Sequence, residues 1–139
     1  VLERFRGKIL QVPPVYSAIK KGGKKLYEEA REGKTAEDLG IEAREVEVYR
    51  VELCNKEKNV ELPHFALDVE CGGGTFIRSL VRDVANAVGT VATMTDLVRT
   101  KQGIFELDHA LEKDDWNAEN VYKAIEEWNE RLLSLEEGD

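Results

Sequence analysis

Residues 44–53, Arg-Glu-Val-Glu-Val-Tyr-Arg-Val-Glu-Leu, alternate polar and apolar side chains with a period of two. That period belongs to a strand with one buried face. Val46, Val48, Val51 and Leu53 are therefore predicted to face a core, with a register break near Tyr49-Arg50 that a β-bulge would absorb. His64–Cys71 alternates again, placing Phe65, Leu67, Val69 and Cys71 on one side, and Cys54–Pro63 reads as a polar connection. The two runs are predicted to form an antiparallel pair. Gly7–Val12 reads as a further short strand, ended by Pro13-Pro14, whose fixed φ and missing N–H groups forbid a helix there.

The period changes after Gly72-Gly73-Gly74. Ile77, Leu80, Val81, Val84, Ala87 and Val88 recur at helical spacing and form one apolar stripe. The pattern predicts a helix with Thr75 as its N-cap and Gly89 as its stop. A shorter helix is predicted over Lys24–Glu32, ending at Gly33, and an acidic one over Asn117–Leu133, with Val121, Ala124, Ile125, Trp128 and Leu132 buried. Gly103–Leu107 reads as a short strand, while Ala92–Thr100 fits neither period. No internal repeat or low-complexity linker interrupts the chain. The expectation is one compact α+β unit, with a mostly antiparallel or mixed sheet and flanking helices.

Composition narrows the function classes. The 139 residues have a net charge of −8, distributed unevenly: +5 over residues 1–31, −4 over 32–105 and −9 over 106–139. The overall sign argues against a simple nucleic-acid-binding module, but the basic N-terminal stretch can face phosphates. Cys54 and Cys71 lack metal-like spacing, and His64 and His109 have no partners at ligand spacing, so no metal is expected. No apolar run is long enough for a membrane span. The first residues, Val1-Leu2-Glu3-Arg4, carry neither an initiator Met nor a signal-peptide layout. The expectation is an intracellular piece of a longer protein, with nucleus, cytoplasm and mitochondrion left open.

Three strings stand out. They are Gln11-Val12-Pro13-Pro14-Val15-Tyr16-Ser17-Ala18-Ile19-Lys20, Cys71-Gly72-Gly73-Gly74-Thr75-Phe76-Ile77-Arg78, and Leu97-Val98-Arg99-Thr100-Lys101-Gln102-Gly103. Ser17 has no nearby histidine, so a hydrolase triad is a poor reading. The glycines at 72–74 precede a helix but lack the lysine of a phosphate-binding loop, so a tight turn is the better reading.

In order and spacing the three strings resemble the TruB family of tRNA pseudouridine synthases, over about residues 5–107. The Cys-Gly-Gly-Gly and Arg-Thr-Lys-Gln-Gly variants resemble eukaryotic members without a separate C-terminal RNA-binding (PUA) domain. The resemblance implies that residues 1–107 form the C-terminal half of a pseudouridine synthase catalytic domain, with 108–139 an acidic helical extension. It implies conversion of a T-loop uridine of tRNA to pseudouridine without cofactor or metal, by a monomer whose partners are the tRNA T-arm and other RNA stem-loops. Arg78 matches the family arginine that pairs with a catalytic aspartate. Phe76, where most members have tyrosine, matches the aromatic that stacks on the flipped base, and Leu97 an apolar residue lining the uracil pocket. Tyr16 and Lys20 suit a wall of the RNA cleft, and Arg99 a backbone or phosphate contact. The family aspartate stands in a Gly-x-Leu-Asp context, a string this sequence lacks, and a family tyrosine near the base is also absent. The chain alone is therefore expected to be inactive. The alternative is a non-catalytic RNA-binding or protein-interaction domain that keeps the synthase fold.

Overall fold

The structure is a computed structural model and describes residues 1–17, 19–35, 37–54 and 62–136. Most of the predicted connection Cys54–Pro63, together with Ala18, lies outside the described residues. The described chain divides into two compact units, Val1–Thr95 and Asp96–Asp139, where the sequence reads as one.

The first unit is built on an antiparallel sheet of β1 (Gly7–Gln11), β4 (Arg44–Leu53) and β5 (Leu67–Cys71), in the order β1-β4-β5. Gly7 pairs with Val48 and Gln11 with Arg44; on the other side Val48 pairs with Cys71 and Leu53 with Leu67. The register shifts between Val48 and Arg50, the bulge that the Tyr49-Arg50 break predicts. The extra residue lets Val48 and Val51 face the same way although they are three apart. β5 is shorter than predicted, beginning at Leu67, although the Ala66 carbonyl still accepts from the Cys54 N–H at 2.8 Å.

Helix α2 (Ile77–Ala87) covers the inner face. Val48, Val51, Leu80 and Val84 form the core, with Leu2, Phe5, Ile9, Leu67, Val69 and Cys71 packed around them. Four apolar side chains of the predicted strand and helix patterns are exposed instead. Leu53 is 58% exposed, at the end of β4 beyond this cluster, and Phe65 is exposed next to β5. Ala87 and Val88 are exposed at the end of α2.

Between β1 and β4, the chain forms a small hairpin of β2 (Lys20–Lys21) and β3 (Lys24–Lys25), then helix α1 (Leu26–Arg31). Gly22 and Gly23 make its turn with φ of 59° and 86°, values that suit glycine and the twist of a two-residue hairpin. The hairpin takes the first residues of the predicted 24–32 helix, which starts at Leu26 instead. The Glu28 carboxylate accepts from the Lys25 backbone N–H and caps that start.

The second unit holds the β6 (Lys101–Gln102) and β7 (Phe105–Glu106) hairpin and helix α3 (Ala118–Glu136). The strand predicted at 103–107 is the second arm of this hairpin. α3 spans the predicted helix, but its apolar face is not buried as predicted: Val121, Ile125 and Leu132 are exposed, with Ala124 and Trp128 half-buried. What covers Trp128 is an edge-on Phe105 at 4.7 Å and His109 at 5.4 Å. The Arg131 guanidinium lies 5.6 Å over the same ring. No described helix is long and apolar enough to cross a membrane.

Candidate active site

Pro13 and Pro14 cannot donate hydrogen bonds, and an extended proline segment turns its carbonyls outward unpaired. Those carbonyls need donors, and the start of α2 supplies them. The Ser79 hydroxyl donates to the Val12 carbonyl at 2.8 Å, joined there by Arg82 Nη2 at 3.2 Å. Arg78 Nη2 donates to the Tyr16 carbonyl at 2.8 Å. Arg78, Ser79 and Arg82 thus make a polar stripe on α2 beside its apolar one. In the other direction, Gln11 Oε1 accepts from the Phe76 backbone N–H at 2.8 Å.

Phe76, not Thr75, is the N-cap residue of α2, and no N-cap side chain caps the helix. The Thr75 hydroxyl turns back to donate to the Gly72 carbonyl at 2.9 Å. It closes the tight turn in which Gly74 takes φ 84°. Gln11, from a strand 65 residues earlier, satisfies the N–H at the head of the helix.

Three predicted site residues meet here. Phe76 is half-buried at the helix start, and Tyr16 is 56% exposed. Arg78 is exposed, and its bond to the Tyr16 carbonyl is a bond to a neutral acceptor. No carboxylate of the described residues pairs with it. The guanidinium is anchored through one N–H and keeps the rest of its donor fork for something else.

The β2–β3 hairpin continues from this segment, tied to it by backbone bonds from Leu26 N to the Ile19 carbonyl and from Tyr27 N to the Ser17 carbonyl. Its register sets Lys20 opposite Lys25 and Lys21 opposite Lys24. Lys20 and Lys25 are thus like charges opposite each other across a ladder, an unfavourable pair. Two of the four lysines are locally compensated. Lys24 pairs with Glu29 at 3.5 Å, and the Lys25 ammonium donates to the Tyr27 hydroxyl at 3.3 Å. Glu29 also binds Lys34, and that hydrogen bond holds its carboxyl below the usual carboxylate range. Lys20 is exposed and has no ion-pair partner among the described residues.

Leu97 and Arg99 belong to the second unit. Leu97 is 53% exposed, its N–H bonded to Asp96 Oδ1 at 2.8 Å. Arg99 donates to the Gln102 side chain. The predicted residues therefore fall into two groups: Tyr16, Lys20, Phe76 and Arg78 in the first unit, Leu97 and Arg99 in the second. Sequence reasoning missed Gln11, Ser79 and Arg82. Ser79 and Arg82 could have been found, since they are polar residues three apart on the helix flank that carries Arg78. Gln11 offered no signal beyond a polar residue ending a strand. Among the described residues no group of His, Cys, Asp and Glu could hold a metal ion.

Residues 1–77 match the family model described as the TruB family pseudouridylate synthase (N terminal domain). The human protein named pseudouridylate synthase TRUB1 is 42% identical over 127 residues, covering 91% of this chain and 35% of its own length. The tRNA pseudouridine synthase B of Clostridium tetani is 40% identical over 124 residues, 89% of this chain and 40% of its own. That of Syntrophomonas wolfei is 43% identical over 114 residues, 82% of this chain and 37% of its own. The chain thus spans between a third and two fifths of the length of these relatives.

Proposed function

Since this chain belongs to the TruB family of pseudouridylate synthases, we propose that it forms one wall of the active site of an enzyme that converts a T-loop uridine of tRNA to pseudouridine. The relatives' names supply the substrate class. The T-arm as the recognised element, and action as a monomer, are parts of the proposal. Uridine and pseudouridine are isomers. The glycosidic C–N bond breaks, the base turns, and a C–C bond forms to the same sugar carbon, so neither an oxidant nor a metal is needed to balance the step.

The observation that carries this reading is the Arg78 guanidinium, fastened to the Tyr16 carbonyl yet lacking an anionic partner among the described residues. A nucleophilic carboxylate in a pocket closed by a base must stay ionised, and an arginine fork keeps it charged and oriented. In this reading Arg78 holds the catalytic aspartate of the intact protein, and Phe76 stacks on the flipped uracil, for which a hydroxyl is not required. Tyr16 and Lys20 line the RNA path, Leu97 meets the base, and Arg99 contacts the RNA backbone.

The test is Arg78→Ala in the intact protein. Pseudouridine formation in a T-arm hairpin is expected to vanish while the fold and hairpin binding persist. Normal turnover by that variant would overturn the role given to Arg78. A protein that binds the hairpin and forms no pseudouridine even as wild type would instead be the non-catalytic RNA binder.

A further inference from the structure

Gln11 is 1% exposed, and its amide is only half used. Oε1 accepts from the Phe76 N–H, while Nε2 is buried with no hydrogen-bond partner among the described residues. An apolar side chain of the same volume would remove that donor but leave the Phe76 N–H without its acceptor, so what the amide contributes here is the bond from Oε1.

That bond joins the two pieces of backbone between which the candidate site lies. Gln11 ends β1 and begins the Val12–Tyr16 segment; Phe76 begins α2. With Gln11 Oε1 on the Phe76 N–H, the first turn of α2 is held against that segment, and the Ser79 hydroxyl then reaches the Val12 carbonyl and Arg78 the Tyr16 carbonyl. We infer that Gln11 is a positioning residue: by clamping the head of α2 to the proline segment, it fixes where the Arg78 guanidinium and the Phe76 ring stand. This inference rests on the synthase reading above. Gln11 touches neither substrate nor reacting atoms in that reading, and acts only through Phe76 and Arg78.

Two substitutions in the intact protein separate this from a packing role. Gln11→Met keeps the volume, removes the acceptor and removes the orphan donor. Gln11→Glu keeps an acceptor oxygen at the head of a helix, where negative charge is favoured. Displacing a catalytic group by about 1 Å costs on the order of 100-fold in rate. The single-turnover rate of Gln11→Met is therefore expected to fall by about 10- to 100-fold, with hairpin affinity within about twofold and the melting midpoint nearly unchanged. Gln11→Glu is expected to recover most of that rate. In parallel, the guanidinium ¹⁵N signals of Arg78 are expected to move in the Met variant and to return in the Glu variant. A wild-type rate in Gln11→Met, unmoved Arg78 signals, or a rate loss that merely follows a lowered melting midpoint would overturn the inference. Should Gln11→Met not fold, Ser79→Ala, which cuts the next bond of the same clamp, must show the same loss of rate and the same Arg78 shift. A wild-type protein that makes no pseudouridine overturns the synthase reading, and the Arg78 signals then decide the positioning claim alone.

Discussion

Leu80→Ala tests the helix orientation on which the site depends. Leu80 is fully buried and sits among Val48, Val51 and Val84, with partly buried side chains from β1, β5 and the first residues around it. The substitution removes three carbons, roughly 2.4 kcal/mol at about 0.8 kcal/mol per buried methylene. The walls of the resulting cavity are strands fixed by their ladder bonds, so they cannot close in fully, and a cavity term adds to the loss. The expected cost is about 3–4 kcal/mol, within the range of about 2–5 kcal/mol for such truncations. At a urea m-value of about 1–3 kcal/mol per molar, that lowers the midpoint by roughly 2 M. Equilibrium urea unfolding followed by circular dichroism would read it. A loss below about 1 kcal/mol, far under the transfer term alone, would refute the reasoning. It would also reach the site, because residues 78 and 80 lie about 200° apart around the helix. If Leu80 were not inside, Arg78 would not face the proline segment.

Lys20→Ala in the intact protein is expected to weaken T-arm binding and to lower the slope of log affinity against log salt by about one; Lys24→Ala, already paired with Glu29, should lower it less. Thr35→Ala should raise the Asp38 midpoint in a carboxyl NMR titration. The Thr35 backbone N–H, and after it the Thr35 hydroxyl, hold Asp38 below its ordinary 3.8. A group whose pKa is depressed on folding stabilises above its unfolded pKa and loses that contribution as pH falls through the folded one. The stability gap between wild type and Thr35→Ala should therefore be fully open near neutrality and close below about pH 4; a gap that widens with acid would contradict it.

How far the residues announced this structure depends on the range of the interaction. The alternation of β4, its bulge and the inward Val46, Val48 and Val51 follow from a local period and were legible. So was the stripe of α2. Leu53 fits the same alternation and is exposed, because the period says which side a residue takes and not whether a helix covers it there. α3 shows the same limit: its amphipathic spacing is real, yet Val121, Ile125 and Leu132 are exposed, while Trp128 is half-buried against the rings of Phe105 and His109. The cap of α2 escapes a local reading because Thr75 is the nearest eligible side chain, while the acceptor that wins comes from β1. The resemblance singles out Arg78 and Phe76; the bonds of Gln11 to the Phe76 N–H and of Ser79 to the Val12 carbonyl show only with the two segments side by side.

Arg78 itself is placed where a cation is not favoured. It lies in the first turn of α2, which contains no acidic residue, and the helix dipole there opposes positive charge by about 0.3–1 kcal/mol. Its hydrogen bond to the Tyr16 carbonyl returns about as much, since a typical net contribution is about 0.5–1.5 kcal/mol. The two effects nearly cancel, so Arg78→Ala should change stability by less than about 1 kcal/mol. A stability change that small alongside a complete loss of turnover would show that the guanidinium is held for an incoming anion, to which the dipole and the charge contribute with the same sign. A loss of several kcal/mol in urea unfolding would show the opposite: Arg78 would be a structural strut for the proline segment, and its effect on turnover would say nothing about a carboxylate.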